Sequence, residues 1–545
     1  MSPATEQRLL RWAPWVLLLL TAAAYAGVPH LGFVWDDIPL VRDNLVTGDP
    51  QALRAVFGMD LWATAGGVAG DSGYYRPMIL LDLALDRLLW GLSPAGHHLH
   101  SLAWHLLASG LLYRLLRTQV QSIPALAGAA LFALHPMQSE SVIWVAARND
   151  SMAAAFVFAS CLVLQPRGAR PGRCAAGALL VLAGMLSKET AILAPVLLLG
   201  LDLVGGGPLL SGWRRHLASW LGIVGWATLR ASSGVGRAGL PEAESLKWLG
   251  SLAPELLGHY AGRIVWPHPL SVGHTLEYLE WQPAHLGALA LILGLVLLLA
   301  WRGGRLAWVG LLFAGAALVP TALAIAMRGQ IGERYLYLPL GGLALALAAA
   351  WPESRRSLIA LVPASLLSLL LIHQRVPEWQ SDVSLWGAAL RDVPSPYTAV
   401  SLGHALNGVG RHEEATLLFH QALRDETPYL YACDVSVSTP LTHDMPELAA
   451  VGADLGLQAR CPVNDRLRGL RAVAWLLAGR VEDARSQVEQ GRSNEDARLP
   501  LAEAAIAVLD GHPEVVLELD AELGHPEGFP DQAHRLANRS GRLSP

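Results

Sequence analysis

MSPATEQRLLRWAPWVLLLLTAAAYAGVPH, residues 1–30, sets Arg8 and Arg11 ahead of an apolar run, and FVWDDIPLVRDN, residues 33–44, follows with two adjacent carboxylates. The first stretch fits either a signal peptide, with AYA before Gly27 as its cleavage site, or a membrane helix that stays in place. The retained helix is the better reading, because further apolar segments follow and the WDD stretch comes too soon afterwards to be a free chain end. The whole sequence supports it: 53% of its 545 residues are hydrophobic and 16% are charged. That is too oily for an ordinary soluble protein and typical of a polytopic membrane protein. A formal net charge of −5 gives no basic surface for nucleic acid. The four cysteines, at 161, 174, 433 and 461, form no CxxC pair and no metal-ligand spacing.

A helix needs about 20 apolar residues, and at least roughly 17, to cross a bilayer. By that measure the sequence predicts eleven spans, near 12–30, 98–116, 120–137, 149–165, 174–187, 189–205, 214–230, 283–301, 306–326, 335–351 and 356–373. Lys and Arg are retained on the cytoplasmic side. With eleven spans, Arg8 and Arg11, Arg114 and Arg117, RGARPGR (167–173), Arg214-Arg215, RGGR (302–305) and Arg355-Arg356 all fall there. LKWLGSLAPELLGHYAGRIVWPHP (246–269) is left out of the count. Its Glu255, His259 and Arg263 recur every four residues, as in an amphipathic helix lying along the outer surface.

This topology gathers the polar motifs on the opposite, outer face. Asp36 and Asp37 lie there in a first outer loop spanning 31–97, with YYRP (74–77, holding Tyr75 and Arg76), His98, His105 and HPMQSESVIWVAARND (135–150). Ser187-Lys188-Glu189 and Glu333-Arg334 join them. Scattered helix caps would not converge on one face, so these residues read as a site. The outer side of a membrane holds no pool of nucleotide sugars, so a group-transfer enzyme there needs a preactivated, lipid-borne donor. A polyprenyl-phosphate sugar fits, its lipid phosphate being the leaving group. Transfer to a hydroxyl then needs a carboxylate base, from Asp36 or Asp37, and cations on the departing phosphate, from Arg76, Arg148, Lys188 and Arg334.

From about Glu378 the sequence turns polar with helical periodicity. SPYTAVSLGHALNGVGRHEEATLLFHQALRDETP (395–428) fits a tetratricopeptide repeat: Leu402-Gly403 for close helix approach, Gly410 for the turn, and Ala415, Phe419 and Ala422 for packing. Pro428 stands one residue later than usual. Weaker copies follow at Ala472, Gly479 and Ala484, then at Ala504 and Gly511. The expected organisation is therefore all-α: a membrane domain over 1–375, a helical-repeat solenoid over 376–530 and a frayed tail over 531–545.

WDD with Asn44, then YYRP, ALHPMQSESVIWVAARND (133–150), LSKE (186–189), ERYLYLP (333–339) and finally the repeats stand in a recognisable order. The chain resembles the transmembrane and tetratricopeptide repeat-containing O-mannosyltransferases, within the C-type (GT-C) glycosyltransferase fold, as a bacterial relative. The resemblance implies an enzyme that moves a sugar, mannose in that family, from a polyprenyl phosphate to a hydroxyl of a protein or glycan; a single displacement would invert the anomeric carbon. It implies Asp36 as base and Asp37 as its helper, and puts Arg148, Lys188 and Glu189 near the donor phosphate. Tyr75, His98, His105, His135, Glu140, Asp150 and Glu333 are supporting candidates. Neither cofactor nor metal is required, although His97, His98 and His100 stand close together. The chain departs from the family pattern His-x-x-Asn-x-x-x-His: Ser101 stands between His98 and His105, so any amide contact is lost and a shared sugar preference does not follow.

Plainer readings exist for each motif. Asp36-Asp37 could cap a helix, Lys188-Glu189 could be an ion pair between two spans, Glu333-Arg334 could snorkel, and Arg148-Asn149-Asp150 could be an N-cap. Cys433 and Cys461 could pair in an oxidising compartment or stay buried thiols. Two other classes compete: a membrane-anchored repeat scaffold for partner proteins, and a transporter. No internal duplication supports the transporter, and eleven spans exceed what an anchor needs. The expected location is the bacterial inner membrane, N-terminus cytoplasmic and repeats periplasmic.

Overall fold

The computed structural model of the chain describes residues 3–44, 46–49, 52–63, 72–166, 170–206, 212–236, 243–425, 429, 431–461, 465–489, 498–522 and 529–541. Pro428 and residues 167–169 of the RGARPGR loop lie outside them. Among the described residues every regular element is helical, apart from an isolated bridge between Thr275 and Gln330. The chain divides into two units, Met1–Leu385 and Trp386–Pro545. The boundary falls ten residues beyond the expected one.

The first unit runs α1 Pro3–Ala24, α2 Pro77–Trp90, α3 Pro94–Arg117, α4 Ser122–Leu134, α5 Ser139–Ile143, α6 Asn149–Leu164, α7 Pro171–Ser187 and α8 Ala194–Val204. Then come α9 Trp213–Ser232, α10 Ala243–Ser251, α11 Ala253–Val265, α12 Pro283–Arg328, α13 Tyr337–Ala350, α14 Arg355–Arg375 and the start of α15 Asp382–Asp392. A helix stands at each expected span, yet among the described residues only four segments are long and apolar enough to cross a membrane by themselves: Arg11–His30, Val145–Leu164, Pro283–Arg328 and Arg355–Trp379. The count of eleven is not reproduced by that measure. Helices α4, α8 and α13 have 13, 11 and 14 residues and pass into irregular segments. α3 and α9 are long enough but carry histidines and arginines.

The 46 residues of α12 would make a rod of about 69 Å, twice a bilayer core. Gly304, at φ 55° and ψ −142°, breaks it where RGGR stands. His285, near its start, lies against Gly258 of α11, Gly303 lies against Ala349 and Ala350, and Arg328 returns to stack over Tyr74. α12 is thus two helical segments joined at Gly304, as the sequence predicts for 283–301 and 306–326. The single amphipathic helix expected at 246–269 is two, α10 and α11; among the described residues neither is a candidate span, and the Ile264 carbonyl and the Tyr260 hydroxyl bond to His135 and to the Gly332 carbonyl.

The helices carry the polar motifs to one end of this unit. At the other end the Arg215 guanidinium, at the start of α9, holds Asp202 of α8 at 2.6 Å and the carbonyls of Leu164 and Gln165 after α6. The element missing from the sequence reading is α2, inside the expected outer loop. It packs on α3 and leaves Leu88, Leu89 and Trp90 exposed.

The second unit is a run of helix pairs: α16 Pro396–Gly408 with α17 His412–Leu423, α18 Ala432–Thr442 with α19 Pro446–Gln458, α20 Asp465–Leu477 with α21 Val481–Glu489, and α22 Arg498–Leu509 with α23 Glu514–Glu522. A Cβ on Gly403 would meet the Phe419 ring at 2.4 Å, which is the close approach the sequence predicts. Each pair turns on one left-handed residue: Gly410, Asp444, Gly479 and Gly511. The second pair escaped the sequence reading because Asp444 stands where the others have glycine. Cys433 and Cys461 form a disulfide across that pair. The expected tail is also corrected: Phe529–Gly541 is a helix, α24, and Ala533 packs with Ala504, Val516 and Leu519. A small residue every helical turn lets it dock.

Candidate functional site

Val34 to Asp37 form a tight turn between α1 and a short π-helical segment, Ile38–Arg42. Trp35 takes a left-handed φ of 52°, a strained conformation for a large side chain that persists only where its surroundings hold it. Three contacts do so here. Its ring stacks flat on Trp144 at 4.5 Å, its N–H donates to Asp382 Oδ1 at 2.7 Å, and the Gly32 N–H donates to the Gln380 carbonyl at 3.1 Å.

The two carboxylates of this turn differ. Asp37 is fully buried and accepts the N–H groups of Ala146 at 2.7 Å and Val34 at 3.4 Å, so it fastens the turn to the 145–148 segment. Asp36 stays half-buried. Burial pushes its carboxyl up to about 7; Arg334 pulls it down and Asp382 pushes it further up. Arg334 is anchored on the buried Glu140, which accepts both its backbone N–H at 2.9 Å and its guanidinium. The same guanidinium lies over the rings of Trp144 and Tyr335, at 5.1 and 4.8 Å.

On the other side of Tyr335 lies a cavity of about 270 Å³. Its polar lining holds Arg76, Asp150, Lys188, Glu189 and Arg230, with Tyr74, Trp226 and Tyr335. Its apolar wall comes from the second half of α12 and includes Pro320, Leu323 and Met327. Arg76 forks onto Glu189, with Nη2 to Oε2 at 2.7 Å. Lys188 Nζ meets Asp150 Oδ1 at 2.6 Å and lies over Tyr335 at 5.8 Å. Burial pushes the Lys188 ammonium down, with Asp150 opposing. Asp150 Oδ2 is buried and accepts no hydrogen bond.

The remaining predicted residues hold this arrangement from outside the cavity lining. Arg148 is fully buried, with Nη1 2.6 Å from both Asp82 and Asp86 of α2, Nη2 on the His97 carbonyl at 2.6 Å and Nε on Ser101 Oγ at 2.9 Å. Removing one partner of a buried pair costs about 3–5 kcal/mol, so Arg148 ties α2, α3 and the 145–148 segment together. Ser101, the departure from the family pattern, supplies an acceptor to this arginine. Asp82, Asp86 and His100 lie close enough to hold a metal ion, but the Arg148 guanidinium already bridges the two carboxylates.

His98 lies between the carbonyls of Ile143 and Gly32, and His105 between Tyr337 Oη and the Ala133 carbonyl. His135 reaches the Ile264 carbonyl, Tyr75 that of Phe57, and Glu333 the Arg375 guanidinium at 3.3 Å. The sequence reading missed Arg230, Trp226, Asp82, Asp86 and Asp382. The pair Asp82 and Asp86, four apart in a helix whose other charged residue is Arg87, was a visible signal of two acids sharing one buried cation.

The chain is similar in part to several proteins named protein O-mannosyl-transferases. It is 29% identical to mouse TMTC3 over 147 residues, 27% of this chain and 16% of that protein. Against Drosophila melanogaster Tmtc1 it is 32% identical over 188 residues, 33% of this chain and 21% of the relative. Caenorhabditis elegans F38B6.6 matches at 22% over 441 residues, 76% of this chain and 63% of the relative. The chain thus spans about a sixth to a fifth of the first relatives it matches. No protein-family model matches. Among solved structures, ArnT from Cupriavidus metallidurans overlaps in its apo state, with 16% identity, a TM-score of 0.38, and coverage of 91% of this chain and 82% of that one. The same protein bound to undecaprenyl phosphate gives a TM-score of 0.37, 16% identity and the same coverage. Overlaps this loose assign neither fold nor ligand.

Proposed function

We propose that the chain is a membrane glycosyltransferase of the GT-C type that moves a sugar, mannose by its relatives' names, from a polyprenyl phosphate to a hydroxyl on the outer face of the bacterial inner membrane. The observation that carries this reading is the pairing of a half-buried carboxylate, Asp36, with a cavity that is cationic at one side and apolar along the other. In the reaction Asp36 takes the proton of the acceptor hydroxyl. The hydroxyl oxygen bonds to the anomeric carbon as the bond from that carbon to the phosphate oxygen breaks, and the electron pair leaves with the lipid phosphate. A single displacement inverts the anomeric centre.

The cations and apolar wall suit the leaving group: arginines fork onto phosphate oxygens, and the α12 residues accept a prenyl chain. Asp37 is the positioning residue for the turn, and Arg148 braces the elements behind it. The helix pairs beyond Trp386 are tetratricopeptide-like repeats that recruit the acceptor protein or glycan. The rival, a scaffold that works through its repeats alone, has no use for the cavity.

The test is transfer of radiolabelled mannose from polyprenyl-phosphate mannose to membrane proteins, wild type against Asp36→Asn at equal expression. Removing a general base costs roughly a hundredfold or more. Incorporation by wild type and its loss in the variant is the expected result; equal incorporation would return Asp36 to a structural role.

A further inference from the structure

Resting on that reading, we propose that Arg230 is the side chain that binds the phosphate of the lipid-linked donor. The three cations that line the cavity are not equivalent. Arg76 is forked onto Glu189, and Lys188 sits on Asp150 at 2.6 Å. Arg230 Nη2 donates to main-chain carbonyls, of Gly73 at 2.8 Å and of Gly236 at 3.4 Å. Neutral acceptors fix the guanidinium without cancelling its charge, and among the described residues no carboxylate pairs with it. Among the described residues that line the cavity, three cations stand against two carboxylates, which leaves one uncompensated positive charge, and it resides on Arg230. A sugar phosphodiester carries one negative charge, and binding it there breaks neither existing ion pair.

The position fits a lipid ligand. Arg230 and Trp226, one turn apart on α9, face the cavity, with the guanidinium 5.8 Å from the indole centroid. Leu217, Trp220, Leu221 and Val224 of the same helix are exposed. Across the cavity, Leu323 of α12 both lines it and is exposed. The phosphate site therefore lies between two helices whose outer faces are apolar, which is the side from which a prenyl chain would enter. A cation in the last turn of α9 also complements the helix dipole, but that alone does not require it to face a cavity.

The experiment measures binding of undecaprenyl phosphate to full-length protein in detergent by quenching of tryptophan fluorescence, with melting temperatures in parallel. The proteins are wild type, Arg230→Gln, Arg230→Lys and, at the far end of α9, Arg214→Gln. Loss of a charge-assisted contact to phosphate predicts affinity about tenfold weaker or worse in Arg230→Gln, with Arg214→Gln like wild type. Arg230→Gln binding within twofold of wild type at an unchanged melting temperature would overturn the assignment. Arg230→Lys keeps the charge and should retain most of the affinity, with the loss of forked geometry as its only deficit. If Arg230→Gln does not fold, a folded Arg230→Lys that binds no undecaprenyl phosphate would overturn the assignment equally. Inorganic phosphate at the same concentration should not compete; if it does, the site is a general anion site and the lipid assignment fails. A wild-type protein that melts cooperatively yet binds no undecaprenyl phosphate overturns the donor reading itself.

Discussion

At the residue scale, Asp36 and Asp37 show how one dipeptide divides its labour. Asp37 has two N–H donors and no exposure, so it holds the turn; Asp36 keeps contact with solvent and with the charge of Arg334. A base works only when ionised. With burial holding Asp36 near pH 7, kcat/KM should therefore fall as pH drops through about 7 and level off above it. Asp382 is the acid that raises this value, so Asp382→Asn, which keeps the oxygen that accepts the Trp35 N–H, should move the acid limb to lower pH. A pH–rate profile of the two proteins checks it; a limb that stays in place would mean that Asp36 is not the titrating group. The sequence made the acidic dipeptide conspicuous, but which carboxylate is free depends on Ala146 and Asp382, 109 and about 350 residues away along the chain, and no local pattern encodes that.

At the scale of elements, the sequence was informative wherever a motif stood at a helix end. YYRP, ARND, LSKE and ERYLYLP all lie at helix starts or junctions, and their side chains meet as their common face required. It was less informative where an acid sat inside an apolar helix, as in α2, or where a turn broke the repeat's own rule, as at Asp444. The segment after α14 was also misplaced: Gln380 and Asp382 hold the Asp36 turn, so a deletion that tests the repeats must begin beyond Asp392. Helix packing gives a paired stability prediction for the repeats. A Cβ on Gly452 of α19 would stand 2.2 Å from the Ser436 carbonyl oxygen of α18, and backbone cannot yield cheaply. Gly452→Ala should therefore destabilise the unit by about 1–3 kcal/mol. Gly387 of α15 meets nothing within 4 Å, so Gly387→Ala should stabilise by up to about 1 kcal/mol. Thermal melts of the two variants should shift in opposite directions; a rise in both would mean that the α18–α19 crossing is looser than this, and a fall in both that Gly387 is not in open space.

At the scale of the whole molecule, one question decides the chemistry: which side of the membrane the motif end faces. α14 ends there, with Arg375 paired to Glu333, and among the described residues no candidate span follows it. The Cys433–Cys461 disulfide bears on the same question. It joins residues 28 apart, a closure that stabilises by about 3 kcal/mol, and it persists only where thiols are oxidised. Two introduced cysteines make the test direct: Val409→Cys on the exposed turn of the first repeat pair, beyond the last candidate span, and Arg302→Cys on the exposed basic loop of the first unit, away from its motif end. In intact spheroplasts a membrane-impermeant maleimide should label Val409→Cys at once and Arg302→Cys only after lysis. Trapping thiols in growing cells should find Cys433 and Cys461 oxidised. The reverse pattern, with free thiols at 433 and 461, would put the motif end in the cytoplasm. Nucleotide sugars are available there, so the argument for a lipid-borne donor would lose its premise, and Asp36 would need a different substrate.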